Sequence, residues 1–210
     1  LTAFSHAIER AEKGDAAAQT LLALMYEGGY GVPQNLKEAA NWYGLAAKAG
    51  DREAQYAMGL MLLAGRGVAA DKRKAADFFE QAAKGGQTDA MYNLALLVLE
   101  GDVRQRDPET AATLLERAAE GENPDAQYAL AQLYAQGLGV EKDDEAATDW
   151  FAAAAQLGNA QPWCAAEAPQ APPRGGGQQR QAVAPGPAAT PQRGTDEGLQ
   201  RAARGQPQAL

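Results

Sequence analysis

Apolar and polar positions along residues 1–158 follow the spacing of amphipathic helices, and the pattern returns in blocks. Placed at about 100° per residue, Ala18, Leu22, Met25 and Gly29 fall within a sector of about 60°, which predicts a helix over residues 16–27 with that stripe turned inward. Ala39, Trp42, Tyr43, Ala46 and Ala47 predict a second helix whose apolar face answers the first. The sequence GGYGVP between them supplies glycines that permit positive φ, so the chain can reverse within a few residues. A shift of 36 residues reproduces the block without a gap. It aligns Ala18, Ala54, Ala90 and Ala126; Leu22, Met58, Leu94 and Leu130; and Gly29, Gly65, Gly101 and Gly137. A fixed period of this size predicts a solenoid, in which each unit buries its apolar face by stacking on its neighbours.

Four units follow, at residues 14–49, 50–85, 86–121 and 122–158, preceded by residues 1–13 as the second helix of a further unit. In each, helix A is followed by the turn and by helix B. Asp15, Asp51 and Asn123 stand where helix A needs an N-cap, and Pro124 at its favoured first position. Asn35, Asp71, Asp107 and Asp143 do the same for helix B, with Glu38 completing a capping box in the first unit. Helix B is expected to end at Gly50, Gly86 and Gly158. Small alanines let the helices approach closely, and the paired aromatics fill the space between units. His6, in the register of Trp42, Phe78 and Trp150, reads as a partly exposed end residue. Unit three departs: EGDVRQRDP replaces the GxGV turn, Leu114 and Leu115 replace the aromatics, and its closing glycine shifts to Gly121 with Glu122 at the usual position. The weakest contact between units is expected there.

The pattern stops inside GNAQ, at the start of a fifth unit. Residues 159–210 hold eight of the eleven prolines and no Lys, Tyr, Phe or Ile. Apolar content so low does not offset the entropy of ordering, so a disordered tail is expected, either a genuine linker or the product of a frameshift. Without a fifth unit over Trp150 and Phe151, that end is expected to be prone to self-association unless Trp163 folds back over it.

Charge divides along the same boundary. Residues 1–158 hold 14 Lys and Arg against 24 Asp and Glu, and the remainder five Arg against three acids. An acidic body without a basic stripe argues against nucleic acid and anionic membrane surfaces. No apolar run approaches the roughly 20 residues that cross a bilayer, so no membrane insertion is expected. A chain beginning at Leu1 reads as a fragment or as one whose leader has been removed; a removed leader would mean a periplasmic or secreted protein, and otherwise a cytoplasmic one.

Catalytic chemistry finds few candidates. Ser5 and His6 are adjacent on one helix, so their side chains diverge by about 100°, which gives no nucleophile and base pair. The single cysteine, Cys164, leaves no disulfide framework and no cysteine zinc site. The run EKDDE at 141–145 lacks the alternating ligands and glycine of a calcium loop and contains the cap Asp143, so it reads as a solvated turn. Lys72, Arg73 and Lys74 read as a solvated face. No metal and no cofactor are expected.

The spacing A-x3-L-[GA]-x2-[YL]-x2-G-x-G-V-x2-[DN]-x3-A-x2-[WF]-[YF]-x2-AA-x2-G over residues 14–158 resembles the Sel1-like repeat, a relative of the tetratricopeptide repeat. The resemblance implies an all-α, right-handed solenoid superhelix of antiparallel helix pairs, with helix A lining the concave side, and a non-catalytic scaffold for a protein or peptide partner. Bacterial members are often exported or act beside signalling and envelope proteins. Some cysteine-rich relatives are linked to penicillin binding, which supplies the alternative of a hydrolase or binder of a cell-wall or β-lactam ligand; these repeats contain no cysteine. Opposite the core stripe of helix A stand Tyr56, Tyr92 and Tyr128, then Leu60 and Leu96, then Leu63 and Leu99, the candidate partner-binding residues. An apolar groove with tyrosines suits a peptide. The same positions also suit packing between successive units, and the sequence leaves both readings open.

Overall fold

The computed structural model describes residues 3–101, 103 and 106–159. The predicted tail, with Trp163 and Cys164, therefore lies outside the described residues apart from Asn159.

Among the described residues the chain forms nine helices and no strand: α1 (Ala3–Glu12), α2 (Ala16–Gly28), α3 (Leu36–Lys48), α4 (Arg52–Ala64), α5 (Lys72–Lys84), α6 (Thr88–Glu100), α7 (Pro108–Glu120), α8 (Pro124–Gln136) and α9 (Asp144–Gln156). Helices α2, α4, α6 and α8 are the A helices; α3, α5, α7 and α9 are the B helices, and α1 takes a B position. The extensive helix contacts all join neighbours in the chain, as expected of an α-solenoid.

The helix starts lie where the capping residues place them. Asp15, Asp51 and Asn123 accept from the backbone N–H three residues on, as do Asp71 and Asp107. Asn35 and Asp143 each accept from two N–H groups. The expected capping box is incomplete, because the Asn35 N–H donates to the Tyr26 carbonyl at 2.9 Å. Asp71 and Asp143 repeat this bond to Leu62 and Tyr134, so the end of each of these A helices holds the start of its B helix.

The core runs through the stack. Tyr43, Phe79 and Leu115 hold one register of helix B and are fully buried. A Cβ on Gly59 would overlap the Phe79 ring, so the glycine in α4 makes room for it. The second turn glycine has a tighter duty. A Cβ on Gly67 would overlap the Leu36 carbonyl, and one on Gly139 that of Pro108, so each turn rests on the first turn of the preceding B helix.

The two joints of unit three, α5 with α6 and α7 with α8, are only marginally less extensive than α3 with α4, so the expected weakening is slight, and α6 buries Ala90, Met91, Tyr92, Leu94, Ala95, Leu97, Val98 and Leu99. What unit three lacks is polar and conformational. Gln87 makes no capping bond, Val103 stands where the other turns have their second glycine, and Glu122 adopts φ 61° where the other links use glycine. That left-handed conformation disfavours any residue with a Cβ.

Candidate functional site

The candidate residues lie on the four A helices, and the structure separates them by burial. Leu99 is fully buried and Tyr92 is 8% exposed, so these two serve as core and offer little surface. Tyr56, Leu60, Leu63, Leu96 and Tyr128 are half-buried. The tyrosines combine both readings of the sequence. The Tyr56 ring lies 5.9 Å from Phe79 and the Tyr128 ring 5.0 Å from Phe151, which ties each to its own unit's B helix. The Tyr56 hydroxyl bonds Asn93 of the next A helix.

Leu24 shares the register of Leu60 and Leu96 and is 46% exposed. Leu21, 52% exposed, has a different origin. Its register is that of Asn93, which reaches back to the preceding A helix. No A helix stands before α2 among the described residues, so Leu21 has nothing to cover it.

A ladder runs along the N-terminal edge of this face. Gln87 Nε2 donates to Glu53 at 3.2 Å, Asn123 Nδ2 to Asp89 at 2.6 Å, and Asn159 Nδ2 to Asp125 at 3.0 Å. Asp51 faces Ala17 in this register, so the first joint has no such rung. Burial pushes the Asp89 carboxyl above the ordinary carboxylate range, opposed by the hydrogen bond it accepts from Asn123. Burial also pushes Tyr56 up to about 12, helped by the negative fields of Asp89, Asp125 and Glu53 and opposed by the bond with Asn93.

Behind the face, Gln19, Gln55 and Gln127 are buried and donate from Nε2 to the carbonyls of Ala11, Ala47 and Ala119, bracing each A helix to the preceding B helix. Met91 takes this place in unit three. At the opposite edge Glu27 accepts from the Tyr43 hydroxyl at 2.8 Å and pairs with Arg66 at 3.1 Å. Burial and then the Glu27 carboxylate raise Tyr43 far above the ordinary phenol range. Lys72, expected on a solvated face, pairs with Glu100 of α6 at 3.4 Å.

The remaining candidates stay apart. His6 is exposed, and no group of three His, Cys, Asp or Glu able to hold a metal occurs among the described residues. In the acidic run, Asp143 caps α9 and Lys142 lies 3.4 Å from Asp144. No helix among the described residues is long and apolar enough to cross a membrane.

Comparison with solved structures finds a protective antigen of uropathogenic Escherichia coli with an SLR fold, c5321, at 30% identity and a TM-score of 0.72 over 76% of this chain and 34% of that one. A Sel1 repeat protein from Oxalobacter formigenes is 32% identical, with a TM-score of 0.70 over 73% of this chain and 63% of that one. A putative Sel1 repeat protein from Klebsiella pneumoniae is 27% identical, with a TM-score of 0.53 over 73% and 74% of the two chains. The chain thus spans about a third of the first relative's length and under two thirds of the second's. No curated protein matches the sequence. Four consecutive segments, residues 16–51, 52–87, 88–123 and 124–159, match the Sel1 repeat, two residues out of phase with the unit boundaries drawn above. Repeats of this kind are generally protein-interaction scaffolds. With all four units matched and the helical stack shared, the chain belongs to the Sel1 repeat family.

Proposed function

We propose that the chain is a non-catalytic binding scaffold that takes a protein or peptide segment along the concave face of its A helices. The observation that carries this reading is the row Leu24, Leu60 and Leu96, one leucine in the same register on each of three successive A helices. Leu24 is 46% exposed and the other two are half-buried, so the row leaves apolar surface open to a partner. Tyr56 and Tyr128 flank it as half-buried aromatics held in place by their ring contacts. A fixed aromatic beside an apolar row supplies contact area at low entropy cost. The family's general role agrees. The cell-wall or β-lactam alternative rested on cysteine-rich relatives, and the repeats here have no cysteine to support it.

The test is a pull-down from an extract of the source cell with the full chain, compared with a Leu24→Ala, Leu60→Ala, Leu96→Ala variant checked by circular dichroism. A partner retained by the parent and lost by the folded variant supports the groove. A partner retained equally by both places binding on another surface and overturns it.

A further inference from the structure

Acids occur on both helix sets, but cations are nearly confined to one of them. The A helices hold five carboxylates, Glu27, Glu53, Asp89, Glu100 and Asp125, and a single cation, Arg52. The B helices hold seven Lys and Arg side chains among nine Asp and Glu, so their acids have cations close by in sequence and those of the A helices mostly do not. Glu27 is paired with Arg66 and Glu100 with Lys72, both cations coming from outside the A helices. Glu53 lies 3.6 Å from its exposed neighbour Arg52.

Asp89 is half-buried, and the influences on its acidity are burial and the Asn123 amide, with no cation among them. Glu53, Asp89 and Asp125, from three successive A helices, all act on the Tyr56 phenol. A carboxylate whose burial opposes its charge costs the fold free energy, and a cation brought to it returns that cost. This negative edge runs beside the leucine row that carries the groove reading.

We infer that the occupant of this face is an extended segment of a partner protein that presents Lys or Arg side chains to Glu53, Asp89 and Asp125 and apolar side chains to Leu60 and Leu96. The inference rests on the groove reading and narrows it to a cationic partner.

The probe is a random peptide library selected on the full chain, with binders located by hydrogen exchange and measured by fluorescence anisotropy. The expected binders protect the A helices and are enriched in Lys or Arg. They weaken about tenfold or more with Asp89→Asn and Asp125→Asn combined, and again when salt is raised about tenfold. Asparagine keeps an acceptor for Asn123 and Asn159 and removes a desolvated charge at position 89, so Asp89→Asn is expected to melt no lower than the parent. If the double variant fails to fold, Glu53→Gln at an exposed position gives the same comparison.

Binders that protect the A helices without cation enrichment, and that ignore these variants, overturn the charge inference and leave the groove standing. A selection yielding no binder on the A helices overturns both. The tail is a competing occupant, with Arg174, Arg180, Arg193, Arg201 and Arg204 at high effective concentration. Replacing these five by Gln is expected to change peptide affinity less than about twofold; a several-fold gain would show that the tail holds the face and overturn the assignment to a partner.

Discussion

The joint between units three and four and the joint between units two and three bury similar helix surfaces and are fastened by different means. At the first, Gln127 braces α8 to Ala119, Asn123 bonds Asp89, and Gly139 sits against the backbone of Pro108. At the second, Met91 replaces the glutamine and Val103 the glycine, while the Gln87 to Glu53 rung, the Tyr56 to Asn93 bond and the Lys72 to Glu100 ion pair are present. Yet α6, on that poorer joint, has eight buried residues, and none of them is a glutamine or an asparagine. Apolar burial and polar fastening are thus separable devices. An irregular turn alters the second without loosening the first.

The sharpest way to break this contrast is to exchange the turn residues. Gly139→Val forces a side chain into the Pro108 carbonyl at positive φ and is expected to cost about 3 kcal/mol in urea unfolding. Val103→Gly, where no such approach exists, is expected to change stability by less than about 1 kcal/mol. Comparable losses from the two would show that the turns do not differ in this way.

Exchanging the brace comes next. Gln127→Met removes a buried hydrogen bond and is expected to cost about 1.5 kcal/mol. Met91→Gln is expected to return less, because α6 is already packed around the thioether. Relieving the left-handed residue should act in the other direction. Glu122→Gly is expected to stabilise by about 1 kcal/mol, and an unchanged or lowered urea midpoint would show that the conformation carries no strain.

The smallest effect belongs to the caps. The Lys74 backbone N–H lowers Asp71 and the Thr110 hydroxyl lowers Asp107, so both carboxylates have folded values below their unfolded ones. Their contribution is complete above the ordinary carboxylate range and is lost as pH falls through the lowered folded values. Thermal melts in descending acid should therefore show a shallower decline for Asp71→Asn with Asp107→Asn than for the parent. Parallel declines would remove the caps from the account of acid sensitivity.

Much of the fold was legible because its determinants are local. A cap and the residues it bonds lie within four positions, and a stripe such as Ala18, Leu22 and Met25 is a property of one helix. The bonds between units were not read, since Asn123 and Asp89 lie 34 residues apart and meet only once the stack exists. Their signal was present nonetheless, as glutamine at 19, 55 and 127 and acid at 53, 89 and 125. The face was legible as a register and not as a surface. Leu63 and Leu99 share one register, yet in the assembled stack Leu99 is fully buried and Leu63 is left partly open.

The apolar character of α6 also sets how the molecule answers temperature. Attraction between apolar surfaces weakens on cooling, whereas hydrogen bonds such as those of Gln127 and Asn123 do not share that loss. The middle of the stack, well sealed in warmth, is for that reason the joint that cold reaches first.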